Sequence, residues 1–283
     1  MTKVLVPYDF SEQAQFALDF STQIGETMDN IHIEVIHVME VPNAASFGTM
    51  GGGDTIPDME NQMFFIEMMN KRKGQLADMR AKYAGKAFSF EAKIKLGNAF
   101  KSISESIAEE NPDLVIMGSK GVSGMEEVLI GSNTEKVVRT ASCPVVTIKA
   151  KTSPDQINKI VFASDFANES PEVAARIKRL SHLLDAQLYL VFVNTPGNFE
   201  SSRESIMRIK DFAKQHNIAD AKAEIYNSRS EESGILEFAE DIDADLIAMT
   251  THGRTGFLHL ITGSIAEDVV NHSTRPVWTY KVD

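Results

Sequence analysis

The chain has 283 residues, of which 43% are hydrophobic and 24% charged, with a formal net charge of −12. That length suits two domains of ordinary size, and the composition is that of an average globular protein. The acidic balance argues against a broad electrostatic grip on nucleic acid or an anionic membrane. The single cysteine, Cys143, excludes an intrachain disulfide framework; beside Pro144 it reads as a small hydrophobe in a core. No apolar run approaches the ~20 residues of a membrane-crossing helix. The first apolar run starts at Val4 and breaks at Pro7, which is not a signal peptide, so a cytoplasmic protein is expected.

Taken in order, the first half predicts strands at 3–8, 31–39, 87–95, 113–118 and 145–150, and helices at 11–27, 58–84, 98–110 and 131–141. The second half predicts strands at 159–164, 187–194, 222–228, 245–250 and 277–281, and helices at 170–184, 200–216, 231–241 and 263–272. Strict alternation of this kind gives an α/β fold: an open parallel sheet with helices on both faces, Rossmann-like. The strands are nearly continuous apolar runs, as in VLVP, IVFA and DLVIM, which fits burial on both faces. Ligands of such sheets bind beyond the carboxyl ends of the strands, where the strand order reverses.

The two halves are one domain written twice. KVLVPYDFSEQAQFAL at the N-terminus matches KIVFASDFANESPEVA from Lys159, so that Asp9 corresponds to Asp165. IEVIHVMEVP matches LYLVFVNTPG, DLVIMGSKG matches DLIAMTTHG, Gly131-Ser132 matches Gly263-Ser264, and CPVVTIK matches RPVWTYK. The polar, proline-containing stretch 151–157 separates domains at 1–150 and 157–283. The final strands VVTIK and VWTYK are apolar edges, and pairing them antiparallel across a pseudo-two-fold axis would cover both. Whole chains would then be free to pair again as a homodimer.

Residues 114–134 carry the chemistry. A buried strand ends at Gly118; Gly121 follows, and Gly131, Ser132 and Thr134 open a helix. Glycines permit close backbone approach and positive φ, a helix start attracts anions, and the two hydroxyls add hydrogen-bonding capacity. The glycines alone fit equally an ordinary strand–loop–helix connection with Ser132 as the N-cap. The spacing Gly-x2-Gly-x9-Gly-Ser, followed by Pro144 and an apolar strand, resembles the nucleotide-binding signature of the universal stress protein family. The resemblance extends over almost the whole chain as two consecutive domains. It implies in each an open five-stranded sheet of the adenine-nucleotide α-hydrolase-like type.

The resemblance also implies a site for ATP or another adenine nucleotide, with or without Mg²⁺. In the first half Pro7, Tyr8 and Asp9 end the first strand, with Asp9 toward the ribose. Val38, next to His37, would meet adenine through its backbone, and Gly118 would lie near the ribose. Gly121, Gly131, Ser132, Asn133 and Thr134 would hold the phosphates. Asp9 has an alternative reading as the N-cap of the helix beginning near Ser11, and His37 reads as packed rather than catalytic. In the second half Asp165, Val193, Gly253, Gly263 and Ser264 remain. Ala163 stands for Pro7, Thr250 for Gly118, Ala266 for Thr134 and Asp268 for Lys136. A threonine adds bulk and resists positive φ, so the second site reads as degenerate.

Asp9 to Gly118 spans 109 positions and Asp165 to Thr250 spans 85, a difference of 24 that falls largely in 42–69. The segment holds Gly51, Gly52 and Gly53, then Met59, Met63, Phe64, Phe65, Met68 and Met69. It reads as a loop followed by a core helix, or as a glycine-hinged lid over the nucleotide. No P-loop, nucleophile elbow or histidine–cysteine metal pattern is present in the sequence. No metal site and no catalytic residue is assigned. Two functions compete: a nucleotide-binding stress module whose assembly or partners respond to ATP, and a slow ATPase or ATP-using enzyme of the same fold. A structural stress protein that binds no nucleotide is a third.

Overall fold

The computed structural model describes residues 1–40, 59–119, 130–167, 169–218, 220–252 and 264–282. The first half runs β1 (Thr2–Pro7), α1 (Glu12–Thr27), β2 (Ile31–Met39), α2 (Met59–Tyr83), β3 (Ser89–Leu96), α3 (Ala99–Glu110), β4 (Leu114–Gly118), α4 (Ser132–Thr140) and β5 (Val145–Ile148). The second runs β6 (Lys159–Ala163), α5 (Pro171–Leu184), β7 (Gln187–Asn194), α6 (Ser202–Gln215), β8 (Lys222–Asn227), α7 (Glu231–Asp241), β9 (Leu246–His252), α8 (Ser264–His272) and β10 (Val277–Val282).

The two expected sheets are one. Ten strands lie in the order β3-β2-β1-β4-β5-β10-β9-β6-β7-β8. Every neighbouring pair is parallel except β5 with β10, which run antiparallel with Val146 opposite Trp278. The apolar edges VVTI and VWTY therefore close on each other, as expected, and Trp278 is only 2% exposed at the seam. Within each half the order reverses beside the first strand, at β1/β4 and at β6/β9.

Side-chain alternation along each strand feeds two cores. Val4 and Val6 point to one, with Ile24 of α1, Leu76 of α2, Val173 of α5 and Phe212 of α6. Leu5 points to the other, with Ile103 of α3, Val138 of α4, Phe238 of α7 and Val270 of α8. Both layers run across the seam, so the halves share each core. Cys143 is buried there, and burial pushes its thiol up to about 12, consistent with a packing role. The joint between the halves is a single turn, Pro154–Gln156, fixed to α1 by Ser153 Oγ donating to Gln23 Oε1 at 2.6 Å.

The start of α2 departs from the core-helix expectation. Leu76 and Tyr83 are buried near its C-terminal end, whereas Met63 and Phe64 are each 65% exposed and Ile66 is 58% exposed. The lid reading for 42–58 lies outside the described residues.

Candidate functional site

The first half's reversal point is assembled from three strand ends and one helix start. Pro7 closes β1 opposite Ile36. Tyr8 N–H then donates to the Ile36 carbonyl at 2.9 Å, while the Tyr8 ring turns into the core and its hydroxyl donates to Gln15 Oε1 at 2.6 Å. Burial and the nearby Asp19 push that phenol up to about 12. Val38 lies two residues past Ile36, so its N–H and C=O turn the same way, over the end of β1.

Asp9 is not the helix cap. Ser11 holds that place, accepting from Ala14 N, and Asp9 Oδ1 accepts from Ser11 N at 2.9 Å. This small Asx turn carries Phe10 at φ 67° and engages one oxygen of the Asp9 carboxylate. Phe10 packs edge-on to His37 at 4.8 Å, and the Arg72 guanidinium lies 4.1 Å from the Phe10 ring centre. His37 Nδ1 donates to the Tyr8 carbonyl at 2.7 Å. Burial lowers its pKa below the ordinary 6.5, so it packs as a neutral imidazole.

Neither Gly118 nor Gly131 has a positive φ, and Gly118 is needed for a different reason. Among the described residues, positive-φ glycines are Gly85 and Gly97 only, and Gly131 sits at φ −62°, ψ 138°. A Cβ on Gly118 would lie 2.7 Å from the Gln13 carbonyl carbon and 2.8 Å from Ala14 N, so its missing side chain admits the first turn of α1. Gly131, not Ser132, is the N-cap of α4, and among the described residues no side chain caps that helix. Side chains cap α1, α3, α5 and α7, from Ser11, Asn98, Ser170 and Ser230, whereas α6, like α4, has no side-chain cap bond. The N–H groups of Ser132, Asn133 and Thr134 therefore begin α4 without an intrahelical partner, at the positive end of its dipole.

The helix start is fastened to β4. Thr134 Oγ1 donates to the Gly118 carbonyl at 2.9 Å, and Gly131 N donates to the Ser119 carbonyl at 2.6 Å. The hydroxyl proton of Thr134 is thus committed to the scaffold, whereas Ser132 is exposed. Gly121 lies outside the described residues.

The second half is built differently at the same point. Ser11 caps α1 two residues after Asp9, but Ser170 caps α5 five residues after Asp165. The longer turn makes room for Thr250, which sits in regular strand and needs no positive φ. Its Oγ1 donates to Glu169 Oε1 at 2.9 Å, and Ser164 Oγ donates to the same oxygen at 2.6 Å. A carboxylate from the chain itself therefore occupies the reversal point. Sequence reading missed Glu169; the extra residues between Asp165 and Pro171 were its visible trace. Asp165 repeats the Asx turn by accepting from Ala167 N at 2.8 Å. Val193 is only 6% exposed beneath α7, where a Cβ on Gly234 would come within 2.3 Å of it. Gly253 and Gly263 lie outside the described residues, as does the Ser264 side chain.

Comparison with known proteins agrees on both halves. The profile of the universal stress protein family matches residues 1–149 and again 156–281. Universal stress protein MJ0577 of Methanocaldococcus jannaschii is 29% identical over 159 residues, covering 53% of this chain and 96% of that protein. Universal stress protein Slr1230 of Synechocystis is 22% identical and covers 96% of both chains. The crystal structure of a universal stress protein from Archaeoglobus fulgidus superposes with a TM-score of 0.73 at 22% identity, over 99% of this chain and 98% of that one. Among the described residues no helix is long and apolar enough to cross a membrane.

Proposed function

Because the chain belongs to the universal stress protein family in both halves, we propose that it is a cytoplasmic stress-response module that binds one adenine nucleotide, ATP, in its first half. The observation that carries this reading is the start of α4: a helix N-terminus without a side-chain cap, opened by Gly131 and fastened to the end of β4 at the sheet's reversal point. The N–H groups of Ser132, Asn133 and Thr134 would take the phosphates. The unengaged oxygen of Asp9 would take a ribose hydroxyl, and the Val38 backbone the adenine edge. Mg²⁺, where present, would neutralise phosphate charge. In the second half the Glu169 carboxylate stands at the matching point, so that half serves as the structural partner across the β5–β10 seam. Nucleotide then acts by changing the assembly of the chain or its choice of partner.

Calorimetric titration with ATP tests this. The wild type should bind one equivalent. Gly131→Asp sets a carboxylate at the helix start and should cost on the order of 2–4 kcal/mol, about 30- to 1,000-fold in affinity. Gly263→Asp should leave affinity close to wild type. Two equal sites, or a larger effect from Gly263→Asp, would overturn the reading. Phosphate release measured alongside addresses the competing ATPase reading: turnover abolished by Gly131→Asp would favour it.

A further inference from the structure

A second cluster of chemical groups lies away from the reversal point, on β2 and the sheet's edge strand β3. A ring nitrogen of His32, a carboxylate oxygen of Glu34 and one of Glu91 all lie within 4.8 Å of one another. Strand geometry explains the meeting. His32 and Glu34 are two apart on β2 and share a face, and Glu91 is the direct partner of Glu34 across the β2–β3 ladder. Glu34 is only 5% exposed. Buried carboxylates need a cation, and Lys93 supplies one, with Nζ 3.3 Å from Glu34 Oε1 and 3.2 Å from Glu91 Oε2.

The histidine is oriented in the manner of a ligand. Ser89 Oγ lies 2.8 Å from His32 Nδ1 and 3.4 Å from the Ile31 carbonyl. A hydrogen-bond partner on one ring nitrogen, which orients the imidazole, is a regular feature of metal-binding histidines. The repeat supplies an internal contrast. The β7–β8 ladder has Tyr189 opposite Lys222 where β2–β3 has Glu34 opposite Glu91, and Lys222 Nζ donates to Tyr189 OH at 2.9 Å. Only the first half carries the donor set among the described residues.

We propose that His32, Glu34 and Glu91 form a site for a divalent transition-metal ion of the Zn²⁺ type, in which the Lys93 ammonium holds the cation's place until the ion displaces it. One imidazole nitrogen with two carboxylate oxygens suits Zn²⁺ better than Mg²⁺, which favours all-oxygen octahedra. Donor atoms around a tetrahedral zinc lie about 3.3 Å apart, given bonds of about 2.0 Å. The three groups would need to close by about 1.5 Å from their outer separation, a movement within reach of two glutamate side chains. Three protein donors leave a fourth position for water. The ion would clip the edge strand to its neighbour.

The experiment uses the full-length chain, stripped with chelator and titrated with Zn²⁺ alone by calorimetry. One Zn²⁺ per chain is expected, with affinity lowered about tenfold or more in both His32→Ala and Glu34→Gln. Lys93→Met removes the competing charge and should raise affinity by about tenfold. Zn²⁺ should raise the melting temperature of the wild type and not that of His32→Ala, and circular dichroism identifies any variant that fails to fold. His32→Ala is the deciding variant, because its side chain is partly exposed and its loss leaves the Glu34–Lys93 pair in place. Absence of saturable binding, unchanged affinity in folded His32→Ala, or weaker binding in Lys93→Met would overturn the proposal. Gly131→Asp should not alter Zn²⁺ binding, which keeps this site separate from the nucleotide site.

Discussion

Thr250 Oγ1 donates to the Glu169 carboxylate at 2.9 Å, at the point where the other half of the chain leaves Gly118 bare against the first turn of α1. The two positions match in sequence but solve different packing problems. In the first half α1 starts early and presses on the strand end. In the second α5 starts late, and the space is filled by a hydrogen-bonded pair.

Gly118→Ala should therefore destabilise the protein by about 1–3 kcal/mol, because the new methyl overlaps backbone atoms of Gln13 and Ala14 that cannot swing aside. Thr250→Gly should cost only about 1 kcal/mol, for one hydrogen bond and added chain entropy. Urea denaturation of both variants compares them. A wild-type midpoint for Gly118→Ala would remove the close-approach account.

Thr134 is buried and its hydroxyl anchors the start of α4 to the Gly118 carbonyl. Thr134→Val keeps the shape and loses the bond, so stability should fall by about 1–2 kcal/mol. Ser132→Ala, at an exposed position, should be close to neutral in the same thermal melts. Equal melting temperatures for the two variants would show that the hydroxyl is no anchor.

The seam between β5 and β10 satisfies both apolar edges. Expressed alone, residues 1–150 should expose β5 and self-associate or lose stability. Sedimentation of the isolated segment at several concentrations reads this out. A monomer as stable as the intact chain would mean that the seam contributes little.

His37 links stability to pH. Its folded pKa lies below the ordinary 6.5 because burial disfavours the charged ring. The unfolded chain then takes up the proton first, so this contribution is complete above 6.5 and is lost as pH falls through the lower folded value. The drop in melting temperature between pH 7.5 and 5.5 should be smaller in His37→Gln than in the wild type. An identical drop would show that His37 does not carry the linkage.

What the sequence determined by itself is the repeating part of the structure. Apolar runs such as VLVP and IVFA, interrupted by polar helix starts, fixed every strand and helix of both halves to within about two residues. They also implied the antiparallel closure of VVTI on VWTY, because a chain cannot leave two such edges bare in water. The order of elements and the positions of Asp9, Val38 and Gly131 at strand and helix ends were legible for the same reason: period and punctuation are local.

Tertiary structure decided what each of those residues does. Gly118 is bare because α1 starts three residues sooner after the shared Asp-Phe than α5 does. Thr134 spends its hydroxyl on a carbonyl sixteen positions away. Glu169 enters the second reversal point through a turn only three residues longer than its counterpart. His32, Glu34 and Glu91 meet only because the β2–β3 register places Glu34 opposite Glu91, 57 positions apart. Close approach and cross-strand pairing depend on distances between segments remote in sequence, and local pattern carries no term for them.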